Sequence, residues 1–422
     1  MIDEGKLFSL AREFGCSLEF FSQVESSLVM SADNFSIHAK SGVKTGGFGV
    51  RTIKDGKLGF YSFEKESELK PAVKHSIMLS KLQEGANYAF PGTKGKSAKY
   101  FDKKARNFDS WAIPQLEDML DVQKEAKVDA VQNIIGASMN EDLLVNSEGG
   151  LIEQEATSFF AVSQCAYGRA EGDYSESASK FNFDPSIVSK NAAMLAKSSA
   201  NPRKIPGGKT DVIFSHHALH ELLDLFLPFN FSGESLRKKL TKLGKGTEIA
   251  SENISIIDDP SIPEGLKPSE YDDEGFATRK KFLVRNGSVE DFLFDMHTAA
   301  KMPNKPAAGN GYRNSFHFAP MISHSDTEIT GGDSADIVSE CKRGILVHSF
   351  LTSGANPVTG DFSFPFLIAH KLENGEKKLP VKDAMMKGNF FELMKTAEFE
   401  RKTEMHNGLK AGRMGCELEV IS

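Results

Sequence analysis

Residues 48–63 read Phe-Gly-Val-Arg-Thr-Ile-Lys-Asp-Gly-Lys-Leu-Gly-Phe-Tyr-Ser-Phe. Asp55-Gly56 divides this stretch into two runs, in which Val50, Thr52 and Leu58, Phe60 recur at every second position. Period-two alternation around an Asp-Gly pair predicts an antiparallel hairpin closed by a two-residue turn. The signal repeats at Asn286-Gly287, between KKFLVR and SVEDFLF, and at Asn374-Gly375, between FLIAHKLE and EKKLPV. Further strand text lies in LEFFSQ (18–23), SLVMSADNFSIHAKSG (27–42), a long alternating run from Leu151 to about Glu171, TDVIFS (210–215) and GCELEVIS (415–422).

Helical periodicity occupies separate stretches. Leu7, Leu10, Ala11 and Phe14 follow a capping residue, Asp3, and helical patterns return near 66–84 and 114–127. Asp184-Pro185 opens a helix running to about Ser199, as an N-cap followed by proline at the first helical position. Helical text also covers about His216 to Leu243. Hairpin-joined strands with segregated helices predict an α+β protein with antiparallel sheets rather than a doubly wound fold. The octet 201–208, Asn-Pro-Arg-Lys-Ile-Pro-Gly-Gly, is the linker candidate. It would separate an N-terminal α+β domain, 1–200, from a strand-rich C-terminal domain, 209–422.

Composition agrees with two domains and narrows the function. The chain has 422 residues, 40% hydrophobic and 26% charged, enough to bury a sizeable core. Its net charge is −7, from 51 Lys and Arg against 58 Asp and Glu, so no global field favours direct nucleic-acid binding. Cys16, Cys165, Cys341 and Cys416 lie far apart, which excludes a zinc ribbon and a dense disulfide framework. No apolar run is long enough to span a bilayer, and the N-terminus has no signal-type core. The expectation is a cytoplasmic protein with no membrane partner.

Few residues carry chemistry by pattern alone. In His216-His217-Ala218-Leu219-His220-Glu221, His216 and His220 stand four apart on one helical face, with Glu221 beside them. They are a degenerate metal candidate: two histidines are half a zinc site, and the alternative is a polar helix start. Leu236, Leu240 and Leu243 among Arg237, Lys238, Lys239, Lys242 and Lys245 predict an amphipathic helix with a solvated basic face. Asp272-Asp273-Glu274-Gly275 reads as an acidic turn, because the further ligands of a calcium loop are missing. Gly46-Gly47-Phe48-Gly49 leads into a strand and is no phosphate loop.

Longer motifs carry a resemblance. Asn356-Pro357-Val358-Thr359-Gly360-Asp361-Phe362-Ser363, then Leu372-Glu373-Asn374-Gly375-Glu376, then Pro380-Val381 and Gly388-Asn389, resemble the C-terminal signature of the TldD/PmbA family. Gly47 to Arg51 with Asp55 to Phe60 resembles its N-terminal hairpin. Asp272 to Gly275 with Leu283 to Gly287 resembles its central elements, and Asn146 to Gly149 is a weaker match. The family implies one of two kinds of subunit. TldD-like chains carry an HExxxH zinc motif and hydrolyse peptides; TldE-like chains, also called PmbA, lack it and partner the first kind. The family has also been called a modulator of DNA gyrase.

Here His220-Glu221 stands where the motif would begin, but the second histidine position is Leu225. The tail Leu409 to Arg413 also lacks the cysteine-glycine pair of catalytic members. The resemblance therefore implies a TldE/PmbA-like subunit of a zinc-dependent peptidase complex that acts on unfolded peptides. It implies no catalytic residue and no cofactor in this chain, with zinc in a TldD-like HExxxH partner. Asn356, Pro357, Gly360, Asp361, Ser363, Glu373 and Asn374 become candidates for shaping a peptide groove. The alternatives are an autonomous metallopeptidase using His216 and His220, and a homodimeric peptide-binding or regulatory protein.

Overall fold

A computed structural model describes residues 4–304 and 306–422. The proposed cap Asp3 lies outside the described residues. The chain is α+β with mainly antiparallel sheets, as its hairpin text predicts. Asp55-Gly56, Asn286-Gly287 and Asn374-Gly375 all turn with both residues at positive φ, between 49° and 80°. That left-handed geometry is what Asn, Asp and Gly tolerate and other residues resist.

The first sheet is built from residues 17–178 and has long strands. Helix α1 (Glu4–Phe14) leads into β1 (Ser17–Asp33), β2 (Ser36–Lys54) and β3 (Lys57–Phe63). Helix α2 (Leu69–Ser80), β4 (Lys94–Ser97) and α3 (Phe108–Glu125) come next. They are followed by β5 (Asp129–Asn146), β6 (Leu151–Tyr167) and β7 (Ala170–Ala178). The order is β3-β2-β1-β5-β6, with β4 and β7 sharing the outer edge of β6. Strand text that reads as separate pieces between 18 and 42 is one hairpin, turning at Asn34-Phe35. Helix α3 begins six residues before its predicted start, because Trp111 packs on Phe108, Phe159 and Phe181 and carries it past Pro114.

Alternation along β1 decides what each face meets. Leu18, Phe20, Met30 and Ala32 face the helices and lie in two cores with Leu7, Val73, Leu116 and Met119. The opposite set, Glu19, Phe21 and Gln23, meets residues from beyond 270. Each fully buried leucine or phenylalanine in these layers contributes roughly 1.5–3 kcal/mol of transfer free energy.

Helix α4 (Pro185–Ser198), with its Asp184 cap accepting from the Ser186 N–H, precedes the stretch 199–207. Strand β8 (Gly208–Phe214) then enters the second half, whose sheets use residues from 208 onward. One of them closes on itself. β8 pairs with Arg343–Phe350 and Met414–Ile421, and the ring is completed through Met385–Asn389 and Asp361–Glu373. Helix α5 (His216–Asn230) packs on it through Leu219, Leu222, Leu223 and Phe226, with Phe226 stacked on Phe390 at 4.6 Å.

Two local expectations are corrected. The predicted helix from His216 to Leu243 stops at Asn230, and only Gly233–Arg237 is helical beyond it. Lys239 takes φ 58°, so the basic residues spread over a turn: Lys238 pairs with Glu234, Lys245 with Asp291, and Lys242 donates to the Thr359 carbonyl. The acidic turn 272–275 is not a surface feature either. Asp272 is 1% and Glu274 0% exposed, because the first sheet covers them.

Candidate functional site

Two clusters of polar side chains join the halves of the molecule. In the first, Glu19 and Arg51 face each other across β1 and β2 on the face away from the helices. Arg51 donates to both Glu19 oxygens, at 2.6 and 2.7 Å, and also to Glu274. Arg313 donates to Glu19 at 3.1 Å, and the Asp273 carboxylate accepts from the Arg313 backbone N–H. Asp272 accepts from the N–H groups of Glu274, Phe276 and Gly311. The Phe316 ring lies so close to Gly47 that a Cβ there would overlap it. This is the physical role of the glycine-rich stretch: it gives close approach rather than phosphate binding.

The second cluster surrounds the start of α5, capped by Ser215, whose hydroxyl accepts from the Ala218 N–H. His217 makes a 3.4 Å contact with Glu221 and lies 3.2 Å from Nε2 of His406. The other nitrogen of His406 is 3.1 Å from Glu176 on β7, so the chain of contacts crosses between the halves. His216 lies 3.8 Å from Glu404. His324 lies 3.8 Å from Asp224. Burial lowers the pKa of His216, and it pushes His220 down to about 4. Burial works against His217 too, but the hydrogen bond to Glu221 and the nearby carboxylates raise it overall.

The proposed metal pair does not converge. His216 lines a cavity of about 1020 Å³ between α4, β7 and the second half, whereas His220 lines a separate cavity of about 210 Å³ with Asp224 and His324. Glu221 turns to His217, and Leu225 packs against the main core. Among the described residues no group of three or more His, Cys, Asp or Glu side chains is arranged to hold a metal ion. A catalytic zinc needs three protein ligands and an open position, and this donor set does not fit one.

The groove candidates stand elsewhere. Asn356 accepts from the N–H groups of Val358 and Thr359, and its own N–H and carbonyl close the loop on Asp361 and Gly360. Asp361 accepts from Asn389, Ser363 contacts Met385, and the Pro357 carbonyl accepts from Asn230. Asn230 ends α5, so the loop and the histidines occupy opposite ends of a helix about 22 Å long. Glu373 pairs with Lys371, and Asn374-Gly375 forms a turn held by the carbonyls of Lys342 and Cys341. None of the seven lines the histidine cavity.

Sequence reasoning missed His406, Glu176, Glu19, Arg51 and Arg313. Arg51 stood in the hairpin motif without a role of its own, and His406 had a turn signal: Asn407-Gly408 is another left-handed turn, which fixes the short hairpin that presents it.

Comparison with known proteins agrees with this architecture. The sequence profile of the PmbA/TldA metallopeptidase C-terminal domain matches residues 207–417, and that of the PmbA/TldA metallopeptidase domain 1 matches residues 18–80. An uncharacterised Methanocaldococcus jannaschii protein is 29% identical over 405 residues, 94% of each chain. The metalloprotease PmbA homologue of Haemophilus influenzae is 25% identical over 92% of this chain and 87% of its own. The crystal structure of TldE from Thermococcus kodakarensis superposes with a TM-score of 0.84 at 24% identity, covering 99% of both chains.

Proposed function

Because the chain belongs to the PmbA/TldD metallopeptidase family, we propose that it serves as the TldE/PmbA-like subunit of a zinc-dependent peptidase complex, leaving the zinc to an HExxxH-bearing homologue. The observation that carries this reading is on α5. Position 225 is a half-buried leucine packed against the core, and Glu221, one turn before it, is engaged by His217 rather than held ready as a base. The full-length architecture is retained around that altered helix, which suits a partner better than an independent enzyme.

In this role the chain closes a groove and holds an extended, unfolded peptide in register near the partner's metal. The terminal strands of its sheets, such as β3, offer main-chain hydrogen bonds that require little sequence preference. Positioning of this kind is worth on the order of 10²-fold in rate. A cytoplasmic setting belongs to the same reading. No described helix is long and apolar enough to cross a membrane.

The test is co-purification with the HExxxH homologue, followed by turnover of an unfolded protein substrate by each chain alone and by the mixture. Activity is expected only from the mixture. Chelator-sensitive activity from this chain alone would overturn the reading in favour of an autonomous peptidase. A homologue equally active without this chain would overturn it in favour of a separate binding protein.

A further inference from the structure

We propose that the large cavity between the two halves is a binding site for a carboxylate-bearing ligand with an apolar body, its negative end seated against Lys377, Ser349 and the start of α5. The site belongs to this chain alone, so it holds or fails independently of any zinc-bearing partner.

The charges of the cavity do not cancel uniformly. Arg413 is matched by Glu400 at 2.7 Å and Asp336 at 3.2 Å, and Lys402 by Glu404 at 2.8 Å. Lys377 is different. Its amine is 3.4 Å from Nε2 of His348, and among the described residues no carboxylate lies within ion-pair distance of it. Burial holds His348 neutral, so it takes one N–H of the ammonium and leaves the others for a ligand. Lys377 is exposed and lines the cavity, so its ammonium is accessible to an anion that enters there.

Two residues that line the same space each hold a buried polar atom without a partner. Ser349 is only 4% exposed, yet its hydroxyl makes no hydrogen bond. Nε2 of His216 is likewise buried and unpartnered. Both residues line the cavity beside Lys377 and His348. They are neighbours through the backbone, because the Ser215 N–H donates to the Val347 carbonyl and so sets the start of α5 against residues 347–349. The first-turn amides of this 15-residue helix have no intrahelical acceptors and add positive potential at that place.

Charge and shape narrow the ligand. Among the described residues, Lys377 and Lys197 both line the cavity without an ion-pair partner, and the Asp173 carboxylate in the same lining offsets one of them, so a single negative charge fits the remainder. A volume near 1020 Å³ is far larger than a carboxylate, and Tyr174, Met194, Leu195 and Leu346 supply apolar walls for the rest. The C-terminal end of a short peptide and a small branched organic acid share this chemistry.

The test is calorimetric titration of the full chain with N-acetyl-Ala-Leu-Phe bearing a free C-terminus, its C-terminal amide, 4-methylpentanoate and inorganic phosphate. The free acid should bind on the order of tenfold more tightly than the amide. Lys377→Met should abolish that preference, Lys377→Arg should keep it, and Ser349→Ala should weaken acid binding by roughly threefold. Thermal unfolding of each variant verifies that the fold is intact. Competition by 4-methylpentanoate at peptide-like affinity would identify a small acid as the ligand, and its absence a peptide terminus; both support the site. Equal binding of acid and amide, binding of neither, tighter binding of phosphate, or an unchanged preference in Lys377→Met would overturn it.

Discussion

Asp326 is fully buried and accepts from the backbone N–H groups of Leu266 and Lys267 at 2.8 and 3.0 Å. Burial pushes its pKa up from 3.8 to about 7, and those two donors only partly offset the push. A carboxyl that binds its proton more tightly folded than unfolded favours the folded state at low pH. Its contribution is fully present below about pH 4 and is lost as pH rises through about 7. Asp326→Asn keeps an oxygen for the same donors but carries no charge. The variant should therefore gain stability over the parent between pH 5 and pH 8, on the order of 3 kcal/mol. Urea unfolding at the two pH values checks this. An equal difference between the proteins at both would show that Asp326 does not titrate in that window.

At the scale of the element, α5 and the loop at its far end divide the work. The helix start presents histidines to two cavities, and its buried face anchors the closed sheet. The 356–363 loop is wound around Asn356, which satisfies two backbone donors, and Gly360, whose φ of 85° and contact with the Phe391 ring leave no room for a side chain. Its motif residues are thus explained locally by turn chemistry. Asn356→Ala should lower stability by about 1 kcal/mol, since those donors lose their acceptor at a partly solvated position. Binding in the distant histidine cavity should be unchanged. Denaturant titration and ligand calorimetry on the same variant measure both, and a loss of binding with stability intact would return the loop to the candidate site.

At the scale of the whole molecule, the charged cluster around Arg51 locks the two halves together. Its side chain is 2% exposed, Glu19 and Glu274 are 0%, and Arg313 adds a second guanidinium. Taken alone, either half would leave part of this set buried or exposed without its partner charges. The halves should therefore unfold in one calorimetric transition, with calorimetric and van't Hoff enthalpies equal. Arg51→Met leaves two buried carboxylates sharing one remaining guanidinium and should cost about 3–5 kcal/mol. It should also separate the transition into two. Two transitions in the parent protein would show that the interface does not couple the halves.

The turns, the strand character between them and hence the α+β class are legible in the order of residues alone. Asp55-Gly56, Asn286-Gly287 and Asn374-Gly375 specify left-handed backbone through their own covalent structure, so no distant residue was needed to predict them. The same order also shows a leucine, Leu225, five residues after His220, so the segment does not spell HExxxH. Tertiary structure alone decided what covers each face. Alternation along β1 assigns Glu19 and Phe21 to one side of the sheet, but only packing makes that side an interface, which turns the acidic 272–275 segment from a solvated turn into a buried ion cluster. The histidines follow the same logic. Helical spacing puts His216 and His220 near one another, yet His406 meets His217 from 189 residues away, and Glu176, which stands 230 residues before His406, holds it there through contacts that no local pattern encodes. Period and propensity are properties of neighbours along the chain, while a site is a property of neighbours in space.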